Sequence, residues 1–380
     1  MRTSTLLTVV AFLLASALSF AQTSGFMFGG AQRTYILHLP TGFSSGDTLP
    51  LVLNLHGLTQ NGQAQSDLSG FDSIADREKF IVVHPNGINA SWNALSGVYY
   101  GGVDDVGFLS ALIDTINRDY HINLSRVYST GMSNGGFMSY RLACDLSHRI
   151  AAIASVTGSM TDSMQYYCNA SRPVPVLHFH GTTDPIVNYN GSGNILSVDA
   201  SLQYWVSHNN CPGSFSTIPI ANTSTTDNCT VSQLYWGTGD QQSEVIHYKI
   251  LSGGHTWPGS GNTFFGVGGN VNMDVKAGEI IWEFFKRHSL QGVINSVKET
   301  TLDASVISVF PNPVQDVLKV EWMDVKVSVI HLTDVSGRVI TEVFPSSSTA
   351  AQLSTQGLPT GLYLLRCASD KGTRVVKIVK

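Results

Sequence analysis

Charge is what this sequence has least of. Asp, Glu, Lys and Arg make up 13% of its 380 residues, and the formal net charge is -5. With no basic run anywhere, the chain lacks the electrostatic footprint needed to hold nucleic acid or an anionic membrane surface. Cys-x-x-Cys pairs and His-rich tracts are missing too, so no metal site is expected. Long apolar runs are confined to one place, Leu6 to Leu18, which is too brief to span a bilayer comfortably. Arg2 precedes it and Ser19-Phe20-Ala21 follows, so residues 1–21 read as a secretory signal peptide cleaved before Gln22. An uncleaved anchor is the alternative; no stable membrane span is expected in the mature chain.

What is present fits two domains, because a single core usually stops growing at about 250–300 residues. Up to Leu290 apolar strands alternate with amphipathic helices. Leu49 to Leu55 and Phe80 to Pro85 are strands apolar enough to be buried on both faces, and Asp67 to Lys79 and Asp104 to Tyr120 have helical spacing. Further strands are expected at 126–130, 150–156, 174–179 and 244–251, and helices at 137–146, 195–208 and 272–287. Alternation of this kind means right-handed βαβ crossovers and a mostly parallel sheet with helices on both faces. After Leu290 the helical pattern stops. Residues 291–304 read as a linker, and short alternating strands over 305–380 read as a small β-sandwich.

Between the strand at 126–130 and the following helix lies Gly131-Met132-Ser133-Asn134-Gly135. This Gly-x-Ser-x-Gly elbow is a signature of the α/β-hydrolase fold, in which a sharp turn thrusts the serine hydroxyl outward. A chain rich in Gly and Ser produces such a pentad by chance, so the partners must carry the argument. A serine needs a base, and the base needs an orienting acid. Asp184 follows one later strand end and His255 the next, which is the Ser, Asp, His order of that fold. The bland readings are a turn-forming Asp before Pro185 and a surface histidine in a Gly-rich loop. His56, His121, His148, His178, His180 and His288 are the rival bases and Asp162 the rival acid, but none sits at the required strand end. Backbone N–H groups of Leu58, after the early buried strand, and of Asn134 are the expected oxyanion donors. Trp257 and Trp92, on loops at the same edge, are expected to offer substrate a stacking face, with ordinary packing as the other reading.

Export would place the five cysteines in an oxidising compartment. Cys211 and Cys229 bracket a polar loop and are expected to pair, Cys144 and Cys168 form a second expected pair, and Cys367 is left over.

Taken together, His56-Gly57-Leu58-Thr59-Gln60, Asp104-Asp105-Val106-Gly107-Phe108, the elbow, His180-Gly181-Thr182-Thr183-Asp184 and Gly254-His255-Thr256-Trp257-Pro258-Gly259 resemble a known esterase family. It is the family that joins LpqC-type polyhydroxybutyrate depolymerases with feruloyl and acetylxylan esterases of carbohydrate esterase family 1, and the resemblance runs from about Gly25 to Leu290. It implies a secreted serine ester hydrolase without a cofactor, with Ser133 as nucleophile, Asp184 as acid and His255 as base, and it implies both disulfides. Many relatives have cysteine where this chain has Leu58, so a bridge from that position is lost while the backbone donor stays. Val309-Phe310-Pro311-Asn312-Pro313-Val314, Asp334-Val335-Ser336-Gly337-Arg338 and Leu358-Pro359-Thr360-Gly361-Leu362-Tyr363 resemble the C-terminal sorting domain of type IX secretion. That implies export to the outside or the cell surface by the type IX machinery. A carbohydrate-binding sandwich is the other reading of this tail.

The expected activity is therefore a feruloyl or acetyl esterase on plant polysaccharide, its partner an ester-bearing polymer. The rivals are a polyhydroxybutyrate depolymerase and, in another class, a glycan-binding or adhesion protein on a hydrolase scaffold.

Overall fold

A strand such as Leu51-Val52-Leu53-Asn54-Leu55 has no side to show to water, so it needs a covering layer on each face. A computed structural model of the chain has those layers. It describes residues 22–94, 102–261, 268–290, 306–334, 339–343, 345, 347, 349–369 and 372–380. The chain divides into two compact units, Met1–Gln291 and Gly292–Lys380. The expected signal peptide and linker lie outside the described residues.

In chain order the first unit contains β1 (Gln22–Phe28), β2 (Ala31–His38), β3 (Leu51–Leu55), α1 (Gly62–Ser69), α2 (Phe71–Glu78), β4 (Ile81–Pro85) and α3 (Asp105–Tyr120). β5 (Val127–Met132), α4 (Asn134–Asp145), β6 (Ala152–Val156), α5 (Asp162–Tyr167), β7 (Val176–Gly181) and α6 (Val198–His208) follow. β8 (Ser216–Pro219), β9 (Thr230–Thr238), β10 (Glu244–Leu251) and α7 (Ala277–Phe285) complete it. All ten strands join one sheet in the order β1-β2-β4-β3-β5-β6-β7-β10-β9-β8. From β4 to β10 neighbours run parallel, and antiparallel strands extend the sheet at either edge.

Because side chains alternate across a strand, each strand feeds two cores. Leu51, Leu53, Leu55, Ile81 and Val83 meet α3, α4 and α6 on one face. Val52, Val82, Leu177 and Phe179 meet α2 and α7 on the other, where Phe80 stacks on Trp282 at 3.9 Å. A parallel centre, helices on both faces and a strand–elbow–helix unit at β5–α4 make this an α/β-hydrolase fold.

Two local readings change. The single helix expected over 67–79 is two, α1 and α2, because Gly70 (φ 67°) takes the left-handed conformation that ends a helix. Strand β9 was not anticipated: it alternates buried and part-exposed positions near the sheet edge, and its Thr, Ser and Gln dilute the apolar signal.

Cys144 and Cys168 form a disulfide. The Cys211–Cys229 pairing is corrected, since both are free thiols. A Cβ on Gly239 would lie 2.8 Å from the Cys211 sulfur, which puts Cys211 beside the far end of β9. Cys229 sits just before the first residue of that nine-residue strand. At about 3.3 Å per residue the strand holds them roughly 30 Å apart. They also pack into cores on opposite faces of the sheet.

The second unit has β11 (Ile307–Phe310), β12 (Val317–Trp322), β13 (Val327–Asp334), β14 (Val339–Val343), β15 (Ala350–Ser354), β16 (Leu362–Ser369) and β17 (Gly372–Val379). They form antiparallel sheets β11-β12-β15 and β14-β13-β16-β17. Leu318, Val320 and Trp322 from the first share a core with Ile330, Leu332, Leu365 and Cys367 from the second. Trp322 is thereby buried and presents no stacking platform.

Candidate active site

Parallel strands deliver their carboxyl ends to one edge of a sheet. Leu58 follows β3, Ser133 follows β5, Asp184 follows β7 and His255 follows β10, and the order β3-β5-β6-β7-β10 is unbroken. Their loops therefore open on the same edge.

Ser133 has φ 54° and ψ -118°, a conformation that costs a non-glycine residue about 1–3 kcal/mol. Its backbone is held from both sides: its N–H donates to the Val156 carbonyl at 2.8 Å and its carbonyl accepts from the Phe137 N–H at 3.0 Å. The flanking glycines are required by proximity, since a Cβ on Gly131 or Gly135 would collide with the Leu55 carbonyl oxygen. β3 thus lies directly against the elbow. Its outgoing loop does too, because a Cβ on Gly57 would sit 3.7 Å from the Ser133 Cβ.

That loop is braced by His56, which is fully buried. Its Nε2 accepts from the Gly87 N–H at 2.9 Å, so Nδ1 carries the proton and donates to the Gly57 carbonyl at 2.7 Å. Burial pushes the His56 pKa down and keeps the ring neutral. In a planar trans peptide the N–H points away from the C=O, so fixing the Gly57 carbonyl also fixes the direction of the Leu58 N–H. The Asn134 N–H is the first of α4 and has no partner within the helix. Among the described residues, neither amide donates to a protein acceptor.

Asp184 and His255 are in contact. His255 Nδ1 lies 2.8 Å from Asp184 Oδ2, with both side chains almost wholly shielded from solvent. Asp184 Oδ1 accepts from the N–H groups of Ile186 and Val187, both at 2.8 Å. Burial alone would raise the Asp184 pKa, but donation from His180 and His255 outweighs it and holds the carboxyl well below its ordinary range. A carboxylate ionised in this way fixes the tautomer with hydrogen on Nδ1 and leaves Nε2 to accept a proton.

The tryptophans are corrected. Trp257 and Trp92 are each 2% exposed, so neither offers a ring face to substrate. Trp92 packs against the His56 ring at 4.9 Å and donates from Nε1 to the His56 carbonyl at 3.0 Å. Its backbone N–H and C=O are taken by the Asn134 side chain, at 2.6 and 3.1 Å. It ties the β4 loop to the elbow helix. Trp257 lies edge-on to Phe71 and borders a cavity of about 370 Å³ with Ser69, Ile74 and Lys276; Ser133, Asp184 and His255 do not line it.

Two supporting residues escaped the sequence reading. Asp105, which stood there only within a motif, is buried; it pairs with Arg33 at 2.6 Å and accepts the Asn93 N–H at 2.8 Å, holding the Trp92 loop from behind. Only the adjacent Asp104 caps α3, accepting from Gly107. His180, set aside as a rival base, touches Asp184 itself, with Nε2 3.3 Å from Oδ2. Its position four residues before the acid was the one available signal.

Residues 33–203 match the family model described as Esterase PHB depolymerase, and residues 308–380 match the secretion system C-terminal sorting domain. Over 205 residues the chain is 32% identical to the probable feruloyl esterase C of Aspergillus terreus, covering 50% of this chain and 72% of that protein. The chain belongs to this esterase family. Over 267 residues it is also 27% identical to the bifunctional acetylxylan esterase/xylanase XynS20E of Neocallimastix patriciarum, covering 70% of this chain but 35% of that enzyme. It spans 57% of each of the proteins named probable feruloyl esterase C in Aspergillus niger and Aspergillus oryzae. Among solved structures the acetyl xylan esterase from Aspergillus awamori aligns with 67% of this chain and 94% of its own, at 16% identity and TM-score 0.46. Within the esterase family's chemistry, the buried Asp184–His255 pair at the edge that carries the Ser133 elbow is the arrangement suited to acyl transfer.

Proposed function

We propose that this protein is a secreted serine carboxylesterase that removes hydroxycinnamoyl or acetyl groups from plant polysaccharide. The observation that carries it is the 2.8 Å bond between Asp184 and His255, one strand-end loop from another along the edge where Ser133 stands on its strained elbow. In this reading the Ser133 Oγ attacks the ester carbonyl carbon while its proton passes to His255 Nε2. The Leu58 and Asn134 N–H groups hold the oxyanion. His255 then returns the proton to the leaving alcohol oxygen as the C–O bond breaks, which leaves an acyl group on Ser133. Water repeats the sequence: His255 takes its proton, the water oxygen joins the acyl carbon, and the acid departs as Ser133 recovers its hydrogen. Asp184 stabilises the imidazolium that forms in each half.

Relatives named for feruloyl and acetylxylan ester cleavage support the polysaccharide substrate. The family model's own name favours a second reading, a hydroxyalkanoate polyester depolymerase. Incubating the protein with feruloylated arabinoxylan, acetylated xylan and polyhydroxybutyrate separates them: ferulate or acetate is expected, and hydroxybutyrate alone would reverse the order. S133A is the control. If it matched the wild type, Ser133 would not be the nucleophile; if the wild type cleaved no short-chain nitrophenyl ester while still binding glycan, the non-catalytic reading would replace both.

The match of the second unit supports delivery by a secretion system. We read residues 1–21 as the signal peptide, 22–290 as the catalytic domain, and 305–380 as the sorting domain that hands the protein to the type IX machinery.

A further inference from the structure

Behind Asp184 runs a buried line of polar groups that the esterase mechanism leaves unused. The Tyr140 hydroxyl lies 2.9 Å from His178 Nδ1, His178 Nε2 lies 3.1 Å from His180 Nδ1, and His180 Nε2 lies 2.8 Å from the Val187 carbonyl and 3.3 Å from Asp184 Oδ2. All three side chains are fully buried. The direction of every bond is set by its ends. His180 Nε2 faces two oxygens that only accept, so it carries the hydrogen and its Nδ1 is an acceptor. His178 Nε2 must then donate to His180, and its own Nδ1 accepts from the Tyr140 O–H. Burial, followed by the neighbouring His180 and His247, holds His178 well below the usual histidine range, and burial raises the Tyr140 phenol, so those two members stay uncharged.

We propose that His180 is a positioning residue for Asp184: locked as the Nε2–H tautomer by the Tyr140–His178 line, it shares Oδ2 with His255 and holds the carboxylate's direction and charge. Asp184 Oδ1 is closed by two amides, so Oδ2 is the oxygen left to face both histidines. The one hydrogen on His180 Nε2 is bonded to the Val187 carbonyl at 2.8 Å and lies close enough to Oδ2, at 3.3 Å between heavy atoms, to draw off part of the charge that His255 feels. Donation to the Val187 carbonyl also clamps the turn whose N–H groups hold Oδ1.

Other groups packed around the line come from several elements. His247 on β10 donates from Nδ1 toward the His178 carbonyl at 3.1 Å, and the Tyr189 ring stands edge-on to His180 at 5.8 Å. Asp199 on α6 reaches the Tyr189 hydroxyl at 3.2 Å, and Lys249 Nζ lies 5.0 Å from the Tyr189 ring centre.

This inference rests on the triad reading, so its test has one arm that needs no substrate. The low-field NMR proton shared by His255 and Asp184 is followed in full-length wild type, H180L, H180Q and Y140F. H180L removes the donor, H180Q restores an amide donor near the Nε2 position, and Y140F releases the far end of the line without touching Asp184. Removal is expected to move the proton downfield and the acid limb of the kcat/KM profile to higher pH. kcat should fall about tenfold in H180L, less in Y140F, with KM unchanged, the size expected for one hydrogen bond to a charged group. H180Q should recover most of it. If the shared proton and the acid limb stay in place in both H180L and Y140F while only thermal stability drops, His180 is packing and the proposal is wrong. Should H180L fail to fold, Y140F decides alone. Absence of Ser133-dependent hydrolysis in the wild type would overturn the esterase reading instead, and the shared proton would still report on His180.

Discussion

At the scale of single residues, direction matters more than proximity. Asp184, His56 and Asn134 each spend their polar atoms on fixing where another group points: the His255 ring, the Gly57–Leu58 peptide, the Trp92 loop. Replacing Asp184 by Asn should therefore leave the fold intact and lower kcat by about 10⁴-fold, as loss of the correct tautomer does in Ser-His-Asp enzymes. Stopped assays on a nitrophenyl ester measure it; a loss under tenfold would mean Asp184 is not the acid. The same variant carries a pH signature. A carboxyl held below its unfolded value adds stability that is complete above about pH 4 and is lost as pH falls through the folded value. Urea unfolding of the wild type should weaken toward lower pH on that account, and D184N should weaken less. The tryptophans misled because their loops, but not their burial, can be read from spacing.

Elements are joined here by close backbone approach and by one covalent bond. The Cys144–Cys168 disulfide ties α4, which starts at the elbow, to the end of α5 across a separation of 24 residues. Closing a loop of that size restricts the unfolded chain, so the C144A/C168A double variant should lose about 2–4 kcal/mol, read as a lower melting temperature. Thiol titration of the unreduced, denatured protein should find three free groups, Cys211, Cys229 and Cys367. A count of one would restore the Cys211–Cys229 bridge. That bridge was a reasonable inference from a polar stretch in a chain read as exported, and it failed because β9 intervenes, a strand whose Thr, Ser and Gln near the sheet edge blur the apolar pattern by which strands are recognised.

On the scale of the whole molecule, two units with separate cores divide the work. Deleting residues 292–380 should leave esterase activity per molecule unchanged and keep the enzyme with the cells; activity in the medium against the cell fraction of the producing culture measures this. Equal export of the truncated chain would free the second unit from a sorting role. What the sequence by itself determined is whatever periodicity and motif order encode: a parallel sheet with helices on both faces, a tail of antiparallel strands, and a serine, an aspartate and a histidine at the carboxyl ends of β5, β7 and β10. Such patterns are local, or depend on the order of strands along the chain. Which tryptophan is buried, which cysteines meet and which histidine stands behind Asp184 depend on strands adjacent in space and remote in sequence, so only the tertiary structure decided them.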